Sequence, residues 1–273
     1  RPVFYDWADS GAAIVTHVGG SAVRSESSSG SIGIVRFDNG EHRSLAFEQV
    51  PTYFQVPALS PDGSTIAAAV LSPQGESSVS LFDTNGSHME TLASLRGFAA
   101  IDWSPDGSRL AYIDGSNNPF SGVVGTLHVR DLRAIPQTVS LQSGGNQGKT
   151  VDRVAAFFWS PDSEKIAMFR PIPVQGQTGG MNRYFRLTVM EAASGNTTNY
   201  GVFPASISFV TRVVPHFDQY QRSVQIWSPD STHIVVSSLT ENQRPGIYMV
   251  ELADRSQPQL IGNGDMAFFA AER

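Results

Sequence analysis

At 273 residues with a net charge of −6, the chain lacks the basic excess of a dedicated nucleic-acid binder, and its Arg and Lys are scattered rather than gathered in a stripe. The absence of cysteine removes disulfides, thiolate metal sites and cysteine nucleophiles together. A composition of 40% hydrophobic and only 16% charged residues, with 25 Gly and 16 Pro to make turns, reads as a single all-β domain over 1–273. No stretch approaches the roughly 18 apolar residues of a spanning helix, and no signal-peptide pattern remains at the N-terminus, which leaves open whether one has been removed.

In chain order, the first expected unit opens on Phe4-Tyr5-Asp6-Trp7-Ala8-Asp9-Ser10-Gly11 and continues into Ala12-Ala13-Ile14-Val15. The serine-rich stretch 21–31 is read as a loop between its second and third strands. Then a strand-turn-strand motif appears four times: Leu59-Ser60-Pro61-Asp62-Gly63, Trp103-Ser104-Pro105-Asp106-Gly107, Trp159-Ser160-Pro161-Asp162-Ser163 and Trp227-Ser228-Pro229-Asp230-Ser231. In the second copy, Phe98-Ala99-Ala100-Ile101-Asp102-Trp103 precedes the turn and Arg109-Leu110-Ala111-Tyr112-Ile113 follows it. Leu127-His128-Val129-Arg130-Asp131 reads as a third strand, and Gln137-Thr138-Val139-Ser140-Leu141 as a fourth.

The turn chemistry explains the repetition. Pro fixes φ at the first turn position, Asp accepts from backbone N–H groups two residues on, and Gly tolerates positive φ. Four antiparallel strands per repeat make one blade of a β-propeller, whose blade interfaces each supply a separate core. Successive motif prolines lie 44, 56 and 68 residues apart, so the later blades carry insertions, which belong on loops. Blades are expected over about 3–50, 54–95, 97–142, 153–203 and 222–262. Residues 265–270 match the pattern of Ala156-Phe157-Phe158-Trp159 and are expected to form the innermost strand of an incomplete sixth blade.

This repeat resembles the WD40-like PD40 repeats of TolB-type six-bladed propellers, and the resemblance covers nearly the whole chain. Phe217-Asp218-Gln219-Tyr220 ahead of Trp227, with the Phe-Phe of the last segment, is similar to a bacterial branch of TolB-like proteins that brings no function with it. The resemblance implies a non-catalytic scaffold that binds a protein or peptide, in an extracytoplasmic place and in association with a membrane complex. It also implies that strands completing the sixth blade lie upstream of Arg1; the alternative is a five-bladed ring with the last strand added elsewhere.

No catalytic, cofactor or metal residues are expected. A Gly-x-Ser-x-Gly elbow and a His-Glu-x-x-His pair are both missing, and His17, His42, His88, His128, His216 and His233 show no ligand spacing. The glycines of 142–148 do not have the spacing of a phosphate loop. Recurrence of Asp62, Asp106, Asp162 and Asp230 is what a turn role requires. One carboxylate per motif is too few for a calcium loop. Two acids from different blades meeting at a channel mouth stay open as an enzymatic alternative, as does a gating domain detached from a peptidase.

The long insertion 203–222 and its neighbour 171–183 are the most individual segments. They give a candidate contact surface of Arg183, Tyr184, Arg212, His216, Phe217, Asp218 and Tyr220. Within it His216 and Asp218 could pair and Tyr220 could stack on a ligand. The competing expectation is that the aromatics plug the face while His216 and Asp218 cap a short turn. Trp7, Trp103, Trp159 and Trp227 are expected between blades as core aromatics.

Overall fold

The computed structural model describes residues 3–8, 13–18, 31–37, 42–45, 56–72, 74, 76–84, 86–118, 122–133, 149–172, 183–220, 224–253 and 257–270. These residues are nearly all strand. β1 (Val3–Ala8), β2 (Ala13–Val18), β3 (Ser31–Arg36) and β4 (His42–Leu45) form the first sheet, in sequence order and antiparallel. The second is an antiparallel meander of β5 (Ala58–Leu59), β6 (Thr65–Leu71), β7 (Ser77–Asp83) and β8 (His88–Leu95). β9 (Phe98–Trp103), β10 (Arg109–Asn118), β11 (Gly122–Asp131) and β12 (Lys149–Val154) make the third. β13 (Ala156–Trp159), β14 (Lys165–Pro171), β15 (Tyr184–Glu191) and β16 (Thr197–Pro204) make the fourth. In the fifth, β17 (His233–Leu239), β18 (Pro245–Glu251) and β19 (Gln259–Asn263) are joined by an inner segment. Trp227 bridges Ile234, and the Val235 N–H donates to the Ile226 carbonyl at 2.8 Å.

The chain divides into two compact units, 1–116 with 130–145 and 117–129 with 146–273. In the first unit, alternating apolar residues of consecutive sheets meet face to face. Val15, Ile32, Leu59, Ile66, Ala68, Val70 and Phe82 form one core cluster. Ala58, Ala67, Val79, Leu81, Leu92, Ile101, Trp103, Leu110 and Tyr112 belong to the next. In the second unit the fourth and fifth sheets are stitched by polar contacts as well. The Tyr200 hydroxyl donates to the Leu252 carbonyl at 3.1 Å, and the Asp162 N–H donates to Ser231 Oγ at 3.1 Å.

Each Ser-Pro-Asp turn is a small hydrogen-bonded lock. In the second sheet the Ser60 N–H donates to the Thr65 carbonyl and the Gly63 N–H to the Ser60 carbonyl, both at 2.8 Å, closing the hairpin. The Ser60 hydroxyl donates to Asp62 at 2.5 Å and accepts the Thr65 N–H at 2.9 Å, while Asp62 accepts the Ser64 N–H at 3.0 Å. Ser104, Ser160 and Ser228 repeat this relay with Asp106, Asp162 and Asp230. The aspartates are therefore turn formers, and the serine is an equal partner that turn propensity alone did not single out.

These bonds hold the carboxylates ionised. The Ser228 hydroxyl first, then the Thr232 hydroxyl and N–H, hold Asp230 down to about 2. At Asp106 burial pushes the other way, but Ser104, Ser108 and Arg133 outweigh it and the carboxyl again sits at about 2. The fourth turn position is left-handed throughout, at φ 72° and 69° for Gly63 and Gly107 and φ 63° and 59° for Ser163 and Ser231. The two serines accept backbone strain of order 1–2 kcal/mol that glycine avoids.

Tryptophan adds a second recurring bond. Trp103 Nε1–H donates to the Ala58 carbonyl and Trp227 Nε1–H to the Phe158 carbonyl, each at 3.0 Å. Each acceptor is the residue just before the equivalent position in the preceding sheet. Trp103, Trp159 and Trp227 are buried, as expected of core aromatics, and Leu59 fills the same place in the second sheet. The Trp7 side chain lies outside the described residues.

Two expectations are corrected. The fourth strand of the third sheet is Lys149–Val154, not 137–141, a segment outside the described residues. Only Ala155, at a bend, separates this strand from β13, so the chain passes there from the outer strand of one sheet to the inner strand of the next. Residues 265–270 are not in a strand, because a strand needs a ladder. Here the Phe269 N–H donates to the Gln225 carbonyl at 2.7 Å without a ladder around it.

Candidate functional site

The most individual part of the chain begins where β16 ends at Pro204. Ala205 still bridges Ser238, and Ser206 then turns the chain: its Oγ accepts the Phe209 N–H at 3.1 Å and donates to the Asp265 carbonyl at 2.8 Å. Ser208 Oγ also donates to the Asp265 carboxylate. The insertion is helical rather than a loop. A π-helical turn spans Phe209–Val213, a 3₁₀ turn Val214–His216, and α1 Phe217–Tyr220. π-Helical turns are rare and concentrate at functional sites.

Phe209, Val210, Val213, Val214 and Phe217 are buried, whereas Ile207, Thr211, Arg212 and His216 are exposed. The two-apolar, two-polar alternation Phe209-Val210-x-x-Val213-Val214-x-x-Phe217 is a helical signal that was present in the sequence. Phe217 meets Phe157 edge-on at 5.2 Å between ring centroids and Phe158 at 6.0 Å, while Phe209 lies 4.9 Å from Phe169. Phe217 is thus a core residue and leaves the candidate contact surface. Its role is to hold the insertion on the fourth sheet.

The other candidates separate in the same way. Arg183 is half-buried; its Nε and Nη2 donate to the Ala205 carbonyl at 3.4 Å, and its own carbonyl accepts the Ala205 N–H at 2.7 Å, so it ties the start of β15 to the insertion. Tyr184 is 44% exposed beside it, opposite Pro204 in the sheet register. Val202 and Ile207, at 51% and 59%, add apolar surface at this end of the sheet. Arg212 and His216 are exposed on the outer side of the insertion. No hydrogen bond joins His216 to Asp218 among the described residues, and the Tyr220 side chain lies outside them. The exposed residues of β15, β16 and the insertion include Tyr184, Val202, Ile207, Arg212 and His216.

Asp218 is part-buried in α1, and burial pushes its carboxyl up to about 7 against the pull of the Asp218 and Gln219 N–H groups. An acid whose folded pKa lies above its unfolded value of 3.8 favours the fold while protonated. That contribution is complete below pH 3.8 and is lost as pH rises through about 7. The slope is at most about 1.4 kcal/mol per pH unit. Asp218→Asn is therefore expected to be more stable than the parent at pH 8 and equal to it at pH 3, checked by urea titrations at both values.

A cavity of about 250 Å³ opens at the same end of the fourth sheet, lined by Arg153, Arg170, Pro171, Ile172 and Arg186. Sequence reasoning passed over these arginines, which stand far apart along the chain.

No protein-family model matches the sequence, and no curated protein matches it. Solved structures do. A protein from Bacteroides ovatus assigned as a dipeptidyl aminopeptidase IV aligns over 95% of this chain at 11% identity with a TM-score of 0.62. The β-propeller domain of the Trilobed protease from Pyrococcus furiosus, which has an open velcro topology, aligns over 95% at 14% identity with a TM-score of 0.57. The chain has the β-propeller fold. TolB from Acinetobacter baumannii also aligns over 95%, at 14% identity and a TM-score of 0.48. The chain spans 40%, 70% and 56% of the lengths of these three proteins. Propellers of enzymes and propellers without chemistry share this architecture, and the fold alone does not choose between them.

Proposed function

We propose that this propeller is a non-catalytic binding module that holds a protein partner at the exposed end of the fourth sheet. The observation that carries the reading is the clustering of Tyr184, Val202 and Ile207, all large and exposed, on a rigid platform locked by Arg183, Ser206 and Phe217. Aromatic and aliphatic anchors with a polar rim, here Arg212 and His216, are the composition of an interface hot spot. A cell-envelope setting accords with the TolB-type repeat and the cysteine-free chain; no helix among the described residues is long and apolar enough to cross a membrane.

The test is affinity purification of the full native protein from its source cells in gentle detergent, with Tyr184→Ala and Ile207→Asp beside the parent. The reading expects one protein that co-purifies stoichiometrically with the parent and falls at least about tenfold in both variants. Thermal stability should shift by no more than about 0.5 kcal/mol. Retention of the partner by both variants would remove the proposed surface. Recovery of a catalytic subunit whose peptide turnover depends on the propeller would instead establish the gating alternative.

A further inference from the structure

We propose that the cavity on the fourth sheet binds a small oxyanion carrying two or more negative charges, a phosphate group or a polycarboxylate, through Arg153, Arg170 and Arg186. This goes beyond the protein-binding reading and rests on different residues.

The sheet register makes the site. Arg170 of β14 stands directly opposite Arg186 of β15. Arg153 lies in the register shift near the end of β12, between the paired residues Val151 and Val154, with a left-handed φ of 59°, and it lines the same cavity. Opposed like charges destabilise a sheet pair. Among the described residues, none of the three arginines forms an ion pair with a carboxylate. Arg170 Nε donates to the backbone carbonyl of Asp152 at 3.2 Å, while the Asp152 carboxylate accepts the Thr126 hydroxyl at 2.8 Å. A guanidinium offers five N–H donors in a planar fork that fits carboxylate and phosphate oxygens, so this site holds many donors and three positive charges with no counter-ion among the described residues.

The walls fit the same ligand. Pro171 and Ile172 give the cavity an apolar side that raises the strength of charge-assisted bonds formed against it. Its volume of about 250 Å³ lies below the roughly 300–1,000 Å³ of sites for drug-sized molecules, which limits the occupant to a small anion or the anionic end of a larger one. The Ile172 N–H is committed to the Tyr184 carbonyl at 2.9 Å, which fixes the cavity wall to β15.

The experiment is isothermal titration of the full-length protein with inorganic phosphate and, separately, with citrate, at about physiological salt so that unspecific surface attraction is screened. Arg170→Gln, Arg186→Gln and, as a control away from the cavity, Arg244→Gln are measured alongside. The expected result is a Kd of about 1 mM or tighter for at least one anion, weakened roughly tenfold or more by either cavity variant and unchanged by the control. The preferred anion then tells phosphate from polycarboxylate. The unliganded melting temperature of the cavity variants should stay level or rise, since each removes like-charge repulsion. Should Arg186→Gln fail to fold, Arg153→Gln supplies the same readout from an exposed position. Absence of binding to both anions, or an equal loss in Arg244→Gln, overturns the proposal.

Discussion

Replacing Trp227 by Ala should cost about 3–5 kcal/mol in packing, the usual range for removing a large buried aromatic. Trp227 is 1% exposed, and its indole N–H donates to the Phe158 carbonyl of the neighbouring sheet at 3.0 Å. Trp227→Phe should keep most of the packing yet lose that hydrogen bond, at a cost of about 0.5–1.5 kcal/mol. Trp159 provides the internal comparison. It is buried, but among the described residues its Nε1 has no hydrogen-bond partner, so Trp159→Phe should cost less than Trp227→Phe. Urea unfolding followed by circular dichroism ranks the three variants. Equal losses for the two Phe variants would mean that the indole bond contributes nothing to holding the sheets.

The second large effect is expected at Phe217. Its ring is 2% exposed and meets both Phe157 and Phe158, so Phe217→Ala should destabilise the second unit by about 3–5 kcal/mol. Arg212→Ala, five residues earlier and exposed, should stay within about 0.5 kcal/mol. Calorimetry on the pair checks it. A near-neutral Phe217→Ala would return Phe217 to the surface that its sequence context first indicated.

Those two residues also show which parts of the structure local sequence could carry. The Ser-Pro-Asp turns were legible because a turn is a local object: Pro, Asp and a left-handed fourth position act within five residues, and their recurrence marks each hairpin. The tryptophans were legible for the same reason, since each stands immediately before a turn. For Phe217 the sequence carried two readings, contact surface and plugging aromatic, and the apolar pairs at 209–210 and 213–214, which repeat at helical spacing, favour the buried one. The outer strand of the third sheet was misplaced because two segments, 137–141 and 149–154, carry similar alternation, and the choice depends on which continues into β13. The arginine row was hidden altogether. Arg153, Arg170 and Arg186 are 17 and 16 residues apart, and they share a cavity only because of sheet register, where a one-residue slip would put Arg170 and Arg186 on opposite faces.

On the proposed contact surface two groups of residues divide the work. Arg183, Ser206 and Phe217 fix the platform, while Tyr184, Val202 and Ile207 present apolar area above it. A photoreactive amino acid placed at 184 or 207 in the full-length protein, irradiated in its native cells, tests this most directly. Position 89, where Met89 is 58% exposed in the other unit, serves as the control. The account predicts the same single protein crosslinked from 184 and from 207 and not from 89. Identical products from all three positions, or none from 184 and 207, would contradict it.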